Sequence, residues 1–492
     1  MGREAFFWGA VGVVSWVFAF APYELCVLGW LCPGALLLMS RSESSRKGTG
    51  LILVLGWVGA LLSLQWLTRV TWVGTPIICL YVALYLVAFV FLASRRKHGY
   101  LERVLYPAFL WVALELTRAR FSYGFPWNLL GYSQYKIQGL VGLSRWGGVY
   151  LVSFLMVFVA ATCIYVGERW RRSPRSVAAL LGLLPFLVLF LIPLPEPRPR
   201  LFRVGLVSVN AGMEKWDEET FYDQLLRHRD WTESLSPQVD LAVWSETAVP
   251  SYLLESDLLT EFVAETAQSA RGFLLVGTLR AEGHRTFNSA VLFDAEGRVR
   301  GTYDKIRLVP FGEFVPGAEY LPWIQRCFPE VGNESPGKKV KVFDVPVSEE
   351  DRSVRVGPMI CYEGVFPELC RRFLAEGAQC LVNMTNEAWY GEGGMQRQHL
   401  ATYVFRAVEL GVPVVRAANA GISCVISPNG EVVERLVEGE GSGMRDTFVE
   451  GALSQEVPWP VSGTFYRRWG DLFAWFALVV IVVWEGKSLA ER

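Results

Sequence analysis

Val354–Pro367 reads VRVGPMICYEGVFP. Apolar and β-branched residues climb through Val354, Val356 and Ile360, which predicts a strand. That strand ends at Cys361, Tyr362 and Glu363, and Pro367 is suited to the first position of a helix. A thiol at the carboxyl end of a strand is a candidate nucleophile. By itself such a cysteine is more often a buried strand residue, because free Cys is among the most buried residue types. Its reading depends on whether the chain supplies a base and a cation.

Working outward, the spacing predicts alternating strands and helices. Strands are expected at 203–209, 241–244, 273–278, 288–293, at about 298–305, and at 354–360, 380–384 and 412–417. A hairpin is expected through Asn429-Gly430. Helices are expected from about Asp217 to Leu235, over 254–270, from Pro367 to Gly377, and over 397–410. This alternation is α/β. Glu246 follows LAVWS and Lys305 follows VRGTYD, so both stand at predicted carboxyl ends of strands, as Cys361 does. Sites in α/β folds assemble at that edge. A thiol needs a base or a cation to become a thiolate. A carboxylate can take its proton, and an ammonium can hold the oxyanion formed on attack at a carbonyl. Singly, Glu246 could cap a helix and Lys305 could be solvated. Together with Cys361 they suffice for acyl transfer through a thioester.

The 492 residues exceed one ordinary domain, and 52% are hydrophobic, which points to membrane spans. No Asp precedes Asp217, and the Pro-rich IPLPEPRPRL near 192–201 marks the change of composition. Apolar runs lie at about 5–21, 23–39, 50–67, 75–93, 101–117, 147–167, 177–194 and 471–485. Basic residues follow the second, fourth and sixth runs: Arg41, Arg46 and Lys47; Arg95, Arg96 and Lys97; Arg169, Arg171, Arg172 and Arg175. By the positive-inside rule these exits and the N-terminus face the cytoplasm, and the polar domain after the seventh run lies outside. The expected organisation is a bundle of about seven helices over 1–196, a catalytic domain over 201–455, and a linker with a final span over 456–492. FSYGFPWNLLGYSQ, 121–134, reads either as an interfacial aromatic belt or as a re-entrant loop beside a lipid groove. Cys26, Cys32, Cys79 and Cys163, in the apolar runs, read as core residues.

Neither GxGxxG nor GxxxxGK[ST] occurs, so a nucleotide cofactor has no support. There is no HExxH or CxxC, and His98, His228, His284 and His399 are isolated; no metal is expected. A formal charge of −1 leaves no nucleic-acid footprint.

WSET around Glu246, YDKIRLVPFGEFVP around Lys305 and ICYEGVFP around Cys361 resemble the three signatures of the nitrilase superfamily. Added to the N-terminal apolar half, APYE at 21–24, GFPWNLLGYSQ at 124–134, and TNEAWYG with QRQHL within 385–400 resemble its membrane-bound branch, the apolipoprotein N-acyltransferase family. The resemblance implies a nitrilase-like αββα sandwich beside a membrane bundle of about eight spans. It implies Glu246 as general base, Lys305 as oxyanion-stabilising cation and Cys361 as nucleophile. Trp216, Glu313, Tyr362 and Glu363 would support the site, with Glu313 and Glu363 orienting Lys305 and its neighbours. It implies a phospholipid acyl donor and a diacylglyceryl apolipoprotein acceptor. The setting would be the bacterial inner membrane, crossed several times, with the catalytic domain on the periplasmic face. We expect a monomer without cofactor. Glu387 stands where the family commonly has Asp, which argues against a direct role there. Leu321, Pro322, Trp323, Ile324 and Phe328 are candidates for a membrane-dipping lid. Two other functions stay open at this stage: a membrane-anchored amidase hydrolysing small amides, and a non-enzymatic scaffold.

Overall fold

The computed structural model describes residues 3–490 apart from 43–44, 96–98, 122, 171–173, 213, 215–216, 236–238, 319–322, 324–325, 327–330, 348–349, 440–442 and 462. Trp216, Cys327 and the lid candidates other than Trp323 therefore lie outside the described residues. The chain divides into two compact units. One is Met1–Leu194 with Gly393–Phe405 and Gly463–Arg492; the other is Pro195–Glu392 with Arg406–Ser462.

In the first unit, helices overlie the apolar runs: Arg3–Ala19, Leu28–Arg41, Ser45–Ser63, Gly74–Ala93, Tyr106–Arg120, Val149–Arg169, Leu184–Leu191 and Leu472–Ala490. Two of them, Gly74–Ala93 and Val149–Arg169, are by themselves long and apolar enough to cross a bilayer. Polar pairs fix the helix directions. Arg41 and Arg103 both bind Glu168, and Tyr106 donates to Glu485 at 2.6 Å. Those residues are the ends of the second, sixth and eighth helices and the start of the fifth. Arg120, at the end of the fifth, pairs with Asp471, just before the eighth. The fifth and eighth helices therefore run antiparallel.

The loop after Arg120 turns inward from Pro126 onward. Trp127, Leu129, Leu130, Tyr132 and Gln134 are buried, while Phe121 and Tyr123 stay exposed. Non-helical backbone inside a bundle needs partners for its N–H and C=O groups. Glu115 accepts the N–H of Leu130 at 2.6 Å, Ser153 accepts that of Gly131 at 2.9 Å, and Arg118 donates to the carbonyls of Trp127 and Asn128. Gly124 has φ +74°, and a Cβ there would lie 2.2 Å from the Ala119 carbonyl. Gln398 closes the same end. It accepts both indole N–H groups of Trp66 and Trp127, and donates to the carbonyls of Ala21 and Ser63. The thiols of the apolar runs are not uniformly core: Cys32 and Cys79 are buried, Cys26 is half-buried and Cys163 is exposed.

The second unit is built on strands β1 (Phe202–Ser208), β2 (Leu241–Trp244), β3 (Val249–Tyr252), β4 (Phe273–Glu282), β5 (Arg285–Phe293), β6 (Val299–Asp304), β7 (Phe343–Pro346), β8 (Ser353–Ile360), β9 (Cys380–Asn386), β10 (Val414–Asn419), β11 (Cys424–Ile426), β12 (Val432–Arg435) and β13 (Gly451–Val457). Among the described residues they form two sheets, ordered β13-β1-β2-β4-β5-β6 with β3 beside β4, and β12-β11-β10-β9-β8-β7. The sheets meet where β1 and β2 face β10 and where β5 faces β8. Helices Glu218–Leu235 and Asp257–Ala270 cover the first sheet over a core that includes Trp244, Val263, Val276 and Phe293. Ser256 caps the second of these through Leu259 N–H. Helix Pro367–Ala375 packs on β8, where a Cβ on Gly357 would meet Phe373 at 3.0 Å. β3, β7 and β13 were not anticipated; β13 is a polar-patterned edge strand defined by pairing with β1.

Candidate active site

Strand direction brings the three signature residues to one place. β2 is parallel to β4, β4 antiparallel to β5 and β5 antiparallel to β6, so β2 and β6 run the same way. Glu246 and Lys305, just past their ends, share an edge of the first sheet. In the second sheet β8, β9 and β10 are mutually parallel, so Cys361, Asn386 and Asn419 share an edge. The edges are joined by hydrogen bonds. Asn386 N–H donates to Glu246 Oε2 at 2.8 Å, and Ala211 N–H donates to Asn419 Oδ1 at 2.7 Å.

Local backbone makes the elbows. Cys361 has φ +51° and Thr247 has φ +46°, a left-handed conformation that costs a non-glycine residue about 1–3 kcal/mol and recurs at functional sites. The Cys361 elbow is held by Glu363. That carboxylate accepts the N–H of Ile360 at 2.8 Å, of Ile306 at 2.7 Å and of Arg307 at 3.1 Å, and the Tyr303 hydroxyl at 2.8 Å. Glu363 thus ties the end of β8 to the end of β6. Burial pushes its carboxyl above the ordinary range, against the pull of those donors. Gly277, on β4, leaves room for the other elbow: a Cβ there would lie 2.3 Å from Ser245 O and 2.8 Å from Glu246 Cα.

Lys305 is fully buried, and its Nζ donates to Glu246 Oε1 at 3.0 Å and to Glu313 Oε1. Asn288 Nδ2 bridges the same two carboxylates, at 2.8 Å from Glu246 and 3.2 Å from Glu313. Glu313 also accepts Val309 N–H at 2.8 Å. Burial alone would lower the Lys305 pKa; the Glu246 and Glu313 carboxylates reverse this and hold it well above the ordinary lysine value. Burial alone would raise the Glu246 carboxyl; the Lys305 ammonium, with the bonds from Asn386 and Asn288, holds it below the ordinary range. Cys361 is 4% exposed, and burial, then the Glu246 charge, push its thiol up against the opposing pull of Lys305 and Thr385. The resting site is therefore a thiol beside a carboxylate and an ammonium. Attack needs the proton to leave as the S–C bond forms, which is general-base chemistry.

Tyr362 is half-buried and packs edge-on against Phe366, at 4.9 Å between ring centres. Glu387 pairs with Arg416 at 2.8 Å, both completely buried, and Gly421 makes room for it, since a Cβ there would lie 2.2 Å from Glu387 Oε2. Among the described residues no group of three or more His, Cys, Asp or Glu is arranged to hold a metal ion. The described cysteines are free thiols. Sequence reasoning missed Asn288, Asn386, Asn419, Tyr303 and Gly277. A signal was present for two of them: Asn288 opens the apolar run NSAVLF, and Gly277 interrupts the apolar FLLVGT.

An α/β sandwich whose sheet edges carry Glu246, Lys305 and Cys361 places the chain among the carbon-nitrogen hydrolases, and the family model described as Carbon-nitrogen hydrolase matches residues 203–444. A second, Apolipoprotein N-acyltransferase N-terminal domain, matches residues 12–162. The chain is 32% identical to the apolipoprotein N-acyltransferase of Geobacter metallireducens, over 94% of this chain and 92% of that one. It is 34% identical to that of Azotobacter vinelandii, over 81% of this chain and 75% of the relative. The chain belongs to the apolipoprotein N-acyltransferase family. Among solved structures, an amidase of the nitrilase superfamily from Nesterenkonia AN1 aligns with TM-score 0.40 and 20% identity, over 53% of this chain and 92% of the amidase.

Proposed function

We propose that the protein N-acylates apolipoproteins by moving an acyl chain from a membrane phospholipid to Cys361, and from Cys361 to the α-amino group of the diacylglyceryl-cysteine that begins the acceptor. Family membership supplies the reaction class. The observation that carries the residue roles is the sealed Glu246–Lys305 pair, electrostatically coupled to Cys361 across the joined sheet edges.

In the first half-reaction the Cys361 sulfur attacks the ester carbonyl while Glu246 takes the thiol proton. Lys305 offsets the charge on the carbonyl oxygen. Collapse breaks the ester C–O bond, and the departing glycerol oxygen takes the proton from Glu246. In the second half-reaction the neutral amine attacks the thioester carbonyl, Glu246 takes an N–H proton, and the sulfur leaves and is reprotonated. Two substrates use one nucleophile in turn, which is ping-pong. Glu313 orients Lys305 together with Glu246, Glu363 and Tyr362 hold the elbow, and Trp216 serves substrate binding.

A thioester survives only where water is excluded. We place the protein as a monomer in the inner membrane with eight spans, in which the helices shorter than a full span cross with their flanking turns. The N-terminus is cytoplasmic and the 201–455 domain periplasmic. The four described thiols of the catalytic unit are buried, so a topology probe needs a new one. Leu258→Cys, at a side chain 64% exposed, is expected to react with an impermeant maleimide in intact spheroplasts; reaction only after lysis would invert the topology.

The decisive experiment incubates purified protein with chain-labelled phospholipid. The expected result is a hydroxylamine-sensitive label on Cys361 that passes to an added diacylglyceryl peptide and is absent from Cys361→Ala. No adduct, with ammonia released from small amides, would replace this reading with the amidase.

A further inference from the structure

A third carboxyl group stands at the Lys305 cluster, besides those of Glu246 and Glu313, without a part in the scheme above. The segment after Val331 folds back over the site loop and is pinned to it by backbone hydrogen bonds. Gly332 N–H donates to Gly312 O at 3.1 Å, Glu334 N–H to Glu313 O at 3.0 Å, Ser335 N–H to Thr286 O at 2.7 Å, and Gly337 N–H to Lys305 O at 2.7 Å. The approach is close enough that a Cβ on Gly337 would lie 2.1 Å from Asp304 O. Glu334 forms a parallel bridge with Thr286, two residues before Asn288 on β5 and hence on the same face of the strand. Its Oε2 atom is buried and has no hydrogen-bond partner.

We propose that Glu334 is a positioning residue for the acyl transfer, a carboxyl group kept neutral beside Glu313 so that Lys305 balances two carboxylates rather than three. This rests on the reading of Glu246, Lys305 and Cys361 given above. The groups that act on Glu334 are Glu313, Lys305 and Glu246. An ionised carboxylate there would leave a buried oxygen without a hydrogen bond and add to the negative charge of Glu313 and Glu246, which favours the protonated form. Burial first, then the Glu313 charge, push its pKa up to about 8, against the pull of Lys305. Above that pH a third negative charge competes for Lys305. It strengthens the hold of Cys361 on its proton and weakens Lys305 as a partner for the developing oxyanion.

The test follows Cys361 itself, by mass spectrometry of its peptide during alkylation with iodoacetamide across pH 6–10. This needs no lipid, so its outcome is independent of whether the acyl-transfer reading stands. In the parent protein the rise of rate with pH is expected to break near 8. Glu334→Gln, which imitates the neutral acid, is expected to lose the break, to match the parent near neutrality, and to react about threefold to tenfold faster above it. Superimposable profiles would overturn the proposal. If Glu334→Gln does not accumulate as folded protein, Glu334→Asp serves: a moved break supports the assignment, and an unmoved one overturns it.

Discussion

Lys305 Nζ donates to Glu246 Oε1 at 3.0 Å in a pocket that leaves the lysine side chain no exposure and the glutamate 7%. Neither charge is tolerable there alone. Removing one partner of a buried pair typically costs about 3–5 kcal/mol. Lys305→Ala is expected to lower the thermal midpoint of the purified protein as well as to abolish the Cys361 adduct. Loss of the adduct with an unchanged midpoint would mean that Lys305 acts only on the substrate.

Glu246→Gln keeps the shape and removes the base. Acyl-enzyme formation should fall by about 10²–10⁴-fold while the fold survives. The pH dependence has a definite sign. The Glu246 carboxyl is held below its ordinary 4.5 in the folded state, so its stabilisation is present above that value and is lost as pH falls through the folded pKa. Urea midpoints of the parent should therefore drop more steeply than those of Glu246→Gln below about pH 4.5. Parallel curves would show that the carboxylate is not depressed.

Glu363 touches neither Lys305 Nζ nor, in its hydrogen bonds, the nucleophile; it holds their backbones together. Glu363→Gln presents an amide where two strand ends need an acceptor. Leaving such donors unpaired costs about 1–3 kcal/mol. The expected signature is slower acylation with an unchanged pH optimum, since no proton of the reaction is lost. A shifted optimum would assign Glu363 to the chemistry.

Gly277 is the most constrained glycine beside the base. An added methyl would lie 2.3 Å from Ser245 O and 2.7 Å from Thr247 N, both backbone atoms that cannot rotate away. Gly277→Ala should displace Glu246 and lower the acylation rate more than tenfold, about 1.4 kcal/mol in barrier. Gly283→Ala, at a hairpin glycine with open space but φ +63°, is the control that strains the backbone without touching the base.

In the helical unit Gln398 uses all four of its main hydrogen-bonding positions on Trp66, Trp127, Ala21 and Ser63. Gln398→Ala strands two indole N–H groups and two carbonyls, at about 1–3 kcal/mol for each group left dry. Detergent-solubilised protein should unfold at lower temperature, and Gln398→Glu, which cannot donate to the carbonyls, should not rescue it.

The sequence by itself determined the central strands and helices of the second unit, the apolar runs and the three signature residues. Each of these is local: a period of two, a period of 3.6, or a polar group stranded at the end of an apolar run. For 121–134 the sequence leaves two readings, an interfacial aromatic belt and a re-entrant loop beside a lipid groove; the structure adds that Trp127 to Gln134 are buried. Only the tertiary structure decided the rest, because it depends on which distant backbones meet. β13 is a strand because β1 needs an edge partner. Asn288 and Asn386 belong to the site because parallel strands of two sheets end together. The segment that carries Glu334 comes to the site loop because its backbone hydrogen-bonds to Gly312, Glu313, Thr286 and Lys305. Charge and hydrogen bonding act over a few ångströms in space, and a linear sequence reports them only where chain neighbours are also neighbours in space.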